Sequence, residues 1–540
     1  MYRMTTKKTL GTIISGSLTE GFVMRVDPQA HIEDIKTGKF VSIVGDRHTF
    51  FSLLTDMALA VTNPDILVFP PAEDEKLLNS FLKLKDIYAT ATLKPMLMLN
   101  HEMRPMPVKT IPPHFARVHE ASSKDVALIF GDEKDASNNF FNIGCPLDMS
   151  TPVCLNLERL TERSNGIFGK TGTGKTFLTR LVLAGLIKQD KAVNLIFDMH
   201  SEYGLQARKE GNEQSFVKGL KTLFPNKVVI FSLDPESTRR RGGMPDVEIT
   251  LPYQAVNVDD ILSLAGELNL HATAMEAAYL IAARYHQDWL QVLLNQGENI
   301  KEFAQSLGAH PESVAALYRK LKRIERFPFF KPSQPGAYRV SVIDQMMEYI
   351  SRGISVIVEF GNYTSTFCYL LIANIITRRI HTEYVAKTEH FLGSQRKQDE
   401  PKKLMITIEE AHKFLNPQAA KQTIFGIIAR EMRKYYVSLL VVDQRPSGID
   451  EEIISQIGTK IVAQLNDEKD IQAVLTGVNG ASSLRSILAS LDSKKQALLM
   501  GHALTMPVVV QTREYDESFY RAMSMTLTKE QINTAMDELF

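Results

Sequence analysis

Cysteine is scarce. Only Cys145, Cys154 and Cys368 occur in 540 residues, and none is spaced as CxxC. Neither a disulfide framework nor a zinc site is therefore expected, and a reducing, cytoplasmic setting is. The sequence opens without a secretory apolar region and contains no apolar run of about 18 residues, so no membrane helix is expected. Charge of one sign is lacking too, since Lys plus Arg and Asp plus Glu number 62 each. No global basic field announces nucleic acid, so any DNA contact must come from local patches or an assembled ring.

What is present is an ordinary globular composition, 44% hydrophobic and 23% charged, on a chain long enough for two or three domains. One stretch organises the rest. Gly169, Lys170, Thr171, Gly172, Thr173, Gly174, Lys175 and Thr176 spell GKTGTGKT, with every fixed position of G-x-x-x-x-G-K-[ST] filled. The glycines let backbone N–H groups turn inward as a nest for phosphate oxygens, and the helix that follows adds its N-terminus. Lys175 is expected at the β- and γ-phosphates and the Thr176 hydroxyl on Mg²⁺. Phe177 opens the apolar, helix-like run that a phosphate-binding loop requires. ATP and Mg²⁺ are the expected cofactors.

Ahead of this motif, residues 1–150 read as a small β-barrel used for assembly. Gly11–Asp27, Ile35–Gly45 and Asp65–Pro71 are short runs with the composition of strands, bounded by turn residues. Val126–Asp132 and Phe140–Leu147 are expected to close the barrel. From Thr151 strands and helices alternate, which predicts an α/β fold: a RecA-like P-loop core with a mainly parallel sheet, over 151–257 and 331–515. Residues 258–330 read as a helical insertion and 516–540 as a helical tail.

Ligands of open α/β sheets sit at the carboxyl ends of strands. The strand in Ala192–Gly204 ends that way with Asp198 and Glu202, expected to face the nucleotide or its metal. Leu404–Leu415, LMITIEEAHKFL, is an apolar strand ending in two acids. Glu409 is expected in the metal shell and Glu410 as general base for, or positioner of, the attacking water. A glutamate at the first position, where aspartate is commoner, moves the carboxylate outward by roughly 1 Å, which the outer shell of Mg²⁺ can absorb. Gln444, at the end of the next apolar strand, is expected to sense the γ-phosphate or orient water. Arg430 and Arg433 lie three apart, share a helix face, and fit either an arginine finger or plain surface arginines. Arg239–Arg241 in TRRRGG fits either a phosphate contact or a solvated cluster.

GKTGTGKT, DMHSEYG, IEEAHKFL and AREMRKYYVSLLVVDQRPSGID together resemble the HerA family, in the HerA/FtsK branch of ring-forming P-loop ATPases. The resemblance covers nearly the whole chain and is most specific from Arg163 to Tyr515. It implies a homo-hexamer with nucleotide between neighbours, double-stranded DNA in the pore, and a nuclease or other effector protein as partner, in DNA end processing or antiphage defence. It also implies a role for Arg163 as an additional interface arginine. Two departures stand out: Glu409 in place of aspartate, and Met432 where glycine is common. An ATP-binding scaffold that activates a partner without translocation is the alternative reading.

Overall fold

The computed structural model describes residues 8–68, 82, 86–100, 102, 104–135, 137–147, 149–209, 212–332, 341–421, 423–478, 481–492 and 495–524. The expected helix at Leu527–Phe540 lies outside the described residues.

Among the described residues eight short strands, most of them apolar, form the parallel part of a large sheet. In spatial order they are Val247–Glu248, Val228–Ser232, Ser355–Glu359, Val193–Asp198, Leu404–Glu409, Val437–Asp443, Asn165–Phe168 and Thr459–Val462. Leu404–Glu409 and Val437–Asp443 are buried at every position. That is the signature of strands covered on both faces, and it explains their unbroken hydrophobicity. Four antiparallel strands extend the sheet: Gln496–Gly501, Val508–Thr512, Phe140–Pro146 and Val153–Asn156.

The N-terminal strands form a separate antiparallel closed ring. Thr9–Ser17 pairs with Gly21–Val26 and Arg117–Glu120, and Phe40–Val44 with Arg117–Glu120 and Thr49–Val61. Thr49–Val61 pairs with Ile87–Leu99, which returns to Gly21–Val26 and leaves the ring without a free edge. Its own core includes Phe22, Met24, Phe50, Leu54 and Leu93.

Three expected barrel strands are placed otherwise. Ser123–Phe130 is an α-helix, because Ser122 and Asp125 form a capping box that starts one. Asp65–Val68 is a helical turn, and the rest of that run, 69–71, lies outside the described residues. Phe140–Pro146 pairs with Val508–Thr512 in the core sheet rather than closing the barrel. Its β-branched and aromatic composition suits either sheet, so only tertiary pairing decides.

Short helices fill 258–326, the longest being Ala272–Tyr285 and Pro311–Leu321. They are fastened to the core at Arg378, whose guanidinium donates to both oxygens of buried Asp260 at 3.0 and 2.9 Å. Arg378 belongs to the helix Thr366–Ser394, which runs nine residues beyond the expected end at Val385. Among the described residues no helix is long and apolar enough to cross a membrane.

Candidate nucleotide and metal site

The phosphate-binding loop leaves the sheet at Phe168 and turns into the helix Lys175–Lys188. Gly172 and Gly174 have φ of +78° and +87°, and a Cβ on either would meet nothing within 4 Å. The left-handed backbone, not crowding, is what requires glycine there. Thr173 braces the turn by donating to the Lys170 carbonyl at 2.7 Å, and Lys175 Nζ donates to the same carbonyl at 3.0 Å. The loop borders a cleft of about 180 Å³ that Glu202, Glu409, Glu410, Asp443 and Gln444 also line.

The Thr176 hydroxyl donates to Glu202 Oε2 at 2.9 Å. Glu202 thus lies where the sequence places it, at the hydroxyl expected on the metal. Asp198 does not. It is fully buried, and its two oxygens accept the backbone N–H groups of Glu202 and Tyr203 at 2.8 and 2.9 Å. Asp198 therefore supports the turn that carries Glu202 and has no face on the cleft.

Glu409 is buried as well. Its Oε1 accepts from the Tyr203 hydroxyl at 2.7 Å, and its Oε2 has no protein partner. Burial, followed by the Asp198 charge, pushes the Glu409 carboxyl up to about 8, with the Tyr203 bond opposing. Burial and then Glu359 push Asp198 up to about 7. Such crowding of carboxylates beside an orphaned oxygen and a threonine hydroxyl is the donor chemistry of a hard divalent cation. Among the described residues no group of three His, Cys, Asp or Glu could hold a metal alone, so nucleotide phosphates would have to complete the shell. Thr176, Glu202 and Glu409 fit that role.

Glu410 follows the strand with φ of +48°, a left-handed conformation rare for this residue type. Gln444 Nε2 lies 3.2 Å from both Glu410 oxygens, and Gln444 Oε1 accepts from Thr171 at 2.6 Å. A continuous chain of hydrogen bonds thus runs from the phosphate-binding loop through the amide to the carboxylate. His412, not singled out by sequence, sits on fully buried Asp443 at 3.0 Å and 3.7 Å from Glu410. Both contacts, with the Asp443 bond the larger effect, raise its pKa above the usual histidine value.

The arginines lie elsewhere. Arg163 and Arg433 precede Asn165–Phe168 and Val437–Asp443, so they occupy the amino edge of the sheet. From Arg163 to Gly169 six extended residues span roughly 20 Å, beyond an arginine's reach. Arg163 is exposed and packs on Gly458; Arg433 is exposed too, and lies near enough to Glu162 to add the least of several charges to a carboxyl that is lowered first by its hydrogen bond to His502. Arg430 and Arg433 lie on either side of a change of helix type. The helix ends at Glu431 in a tighter turn, and Arg430 donates to the Ala420 carbonyl at 2.8 Å. In TRRRGG a short helix covers Pro235–Arg240, Arg239 pairs with Glu236 and Glu248, and Arg241 turns inward to Glu359.

Residues 141–380 match the family model for the central domain of helicase HerA. A DNA double-strand break repair helicase HerA of Pyrococcus furiosus is 24% identical over 431 residues, covering 74% of this chain and 73% of that protein. The protein of that name from Sulfurisphaera tokodaii is 24% identical over 506 residues, 89% of each. Among solved structures, the bacterial conjugative coupling protein TrwBΔN70 aligns at 11% identity and a TM-score of 0.47, over 74% of this chain and 93% of that one. VirB4 of Thermoanaerobacter pseudethanolicus aligns at 14% identity and 0.45, over 72% and 99%.

Proposed function

We propose that this chain, whose residues 141–380 match the central domain of helicase HerA, is a HerA-type P-loop ATPase, and that it forms a hexameric ring that hydrolyses ATP to move along double-stranded DNA. A nuclease or other effector protein is the proposed partner. DNA repair is the activity named for the relatives, and antiphage defence is the other setting consistent with such a pairing.

The observation that carries the reading is the Thr171–Gln444–Glu410 chain. It ties the loop that receives phosphate to the carboxylate suited to take a proton from water, so nucleotide state and catalytic geometry are coupled. Lys175 and the backbone of Gly172–Thr176 bind phosphate, and Gln444 orients Glu410. Glu410 accepts the proton as water attacks the terminal phosphorus, while the bond from that phosphorus to the bridging oxygen breaks and ADP leaves with the electron pair. Thr176, with Glu202 and Glu409, would hold Mg²⁺, which would supply charge neutralisation of the phosphate oxygens.

Ring assembly is supported by the position of Arg163 and Arg433, which a single subunit cannot bring to its own cleft. An adjacent subunit that apposes its amino edge to this carboxyl edge can. Hydrolysis by the wild type should rise at least several-fold with duplex DNA and vanish in Glu410→Gln, which should still bind nucleotide. Partner activation by ATP that survives Glu410→Gln, with no DNA stimulation, would mark a scaffold instead.

A further inference from the structure

Glu359 ends the strand Ser355–Glu359, side by side with Asp198 on the neighbouring strand. Its side chain has no exposed surface. Two such carboxylates on adjacent strands, about 4.8 Å apart, repel strongly unless one is compensated. Compensation comes from a distance in sequence. Arg241 Nη2 donates to Glu359 Oε2 at 2.6 Å, and the Thr238 hydroxyl donates to the same oxygen at 2.9 Å. Arg241 Nη1 also reaches the Ser201 carbonyl at 3.5 Å. The other Glu359 oxygen is buried without a partner and faces Gly204, where a Cβ would approach it to 2.5 Å.

Ser201 and Gly204 bound the turn that carries Glu202. Ser201 has φ of +56°, so the turn is held in a left-handed conformation that its sequence alone disfavours. Asp198 grips it from beneath through two backbone N–H groups. Arg241 and Glu359 grip it from the side. What the turn presents to the cleft is the Glu202 carboxylate on the Thr176 hydroxyl.

We propose that Arg241 and Glu359 are positioning residues for the metal–nucleotide site: their ion pair fixes the Ser201–Gly204 turn, and through it sets Glu202 over Thr176. Neither residue touches nucleotide. The arginine run of TRRRGG is then explained by one member that points inward, and its function is metal-dependent binding at the P-loop. The inference rests on the reading of this cleft as a Mg²⁺–nucleotide site.

The test is binding rather than turnover. The affinity of a fluorescent ADP analogue is measured with Mg²⁺ and with EDTA, for wild type, Arg241→Gln, Arg241→Lys and Glu359→Gln. Arg241→Gln and Glu359→Gln should keep the EDTA affinity within about twofold, while the gain given by Mg²⁺ falls about five- to tenfold. Arg241→Lys should recover part of the gain. An unchanged gain in both neutral variants overturns the proposal, and so does equal weakening with and without metal, which would mark a merely structural pair. Glu359→Gln is nearly isosteric and keeps the test decisive where Arg241→Gln does not fold. A wild type that binds no nucleotide at all would overturn the P-loop reading itself, a result separate from any of these.

Discussion

The Tyr203 hydroxyl donates to Glu409 Oε1 at 2.7 Å, so a buried tyrosine fixes a carboxylate of the cleft from behind. Burial holds Glu409 up near 8, and the Tyr203 bond works against that rise. The carboxyl is thus largely protonated at neutral pH until a cation enters, and cation binding must release the proton. Mg²⁺-dependent nucleotide binding should therefore strengthen as pH rises from about 6.5 to 8.5. In Tyr203→Phe the donor is gone, the carboxyl rises further, and the same curve should move to higher pH. Titrations with a fluorescent nucleotide at several pH values read this directly, and superimposable curves for the two proteins would contradict it.

Lys460 is a buried lysine outside the site, donating to the Thr476 carbonyl at 2.7 Å. Desolvation lowers its pKa to about 8. The folded-state value lies below the unfolded one of about 10.4, so the unfolded chain holds more protons between those limits. Stability should accordingly rise with pH from about 8 to 10.4, by at most about 1.4 kcal/mol per pH unit. Lys460→Met should raise Tm at pH 7 and lose that slope. Thermal melts from pH 7 to 10 check both.

Gly204 has no room for a methyl group, since its Cβ would lie 2.5 Å from Glu359 Oε1. Gly204→Ala should cost about 1–3 kcal/mol through overpacking. Because the displaced atom belongs to Glu359, the variant should also lose part of the gain from Mg²⁺ in nucleotide binding. A melt combined with the binding assay separates the two effects.

Motifs and apolar runs made the core legible: the strands that end at Phe168, Asp198, Glu409 and Asp443 each read as buried hydrophobic segments. The barrel was legible as β structure but not in membership. Val126–Asp132 looks like a strand by composition and becomes a helix through the Ser122–Asp125 capping box, a signal that was present in the sequence. Phe140–Pro146 carries no local mark of which sheet it joins. At the site, Glu202 and Glu410, both named from sequence, line the cleft. Sequence could not tell that Asp198 points under its turn while Glu202 points over it, because the left-handed Ser201 reverses the local direction. Tyr203, His412 and Arg241 act through contacts 31 to 206 residues away in sequence, which no local pattern reveals.

Arg433 and Lys175 lie at opposite edges of the same sheet, so in the proposed ring they would meet only across subunits. Arg433→Ala and Lys175→Ala proteins should each hydrolyse ATP at least about 10³-fold more slowly than wild type. Mixed before assembly, they should regain a fraction of the activity, since some interfaces then combine an intact loop with an intact arginine. Absence of any recovery in rings shown by mass to be mixed would contradict action in trans.

The central claim is that ATP hydrolysis moves this protein along duplex DNA, and displacement of a labelled third strand from a DNA triplex tests it most directly. Wild-type protein with ATP and Mg²⁺ should release the strand, while Glu410→Gln, bound to nucleotide but unable to hydrolyse it, should not. Hydrolysis stimulated by duplex DNA without any strand release, or release by Glu410→Gln equal to that of wild type, would contradict the account.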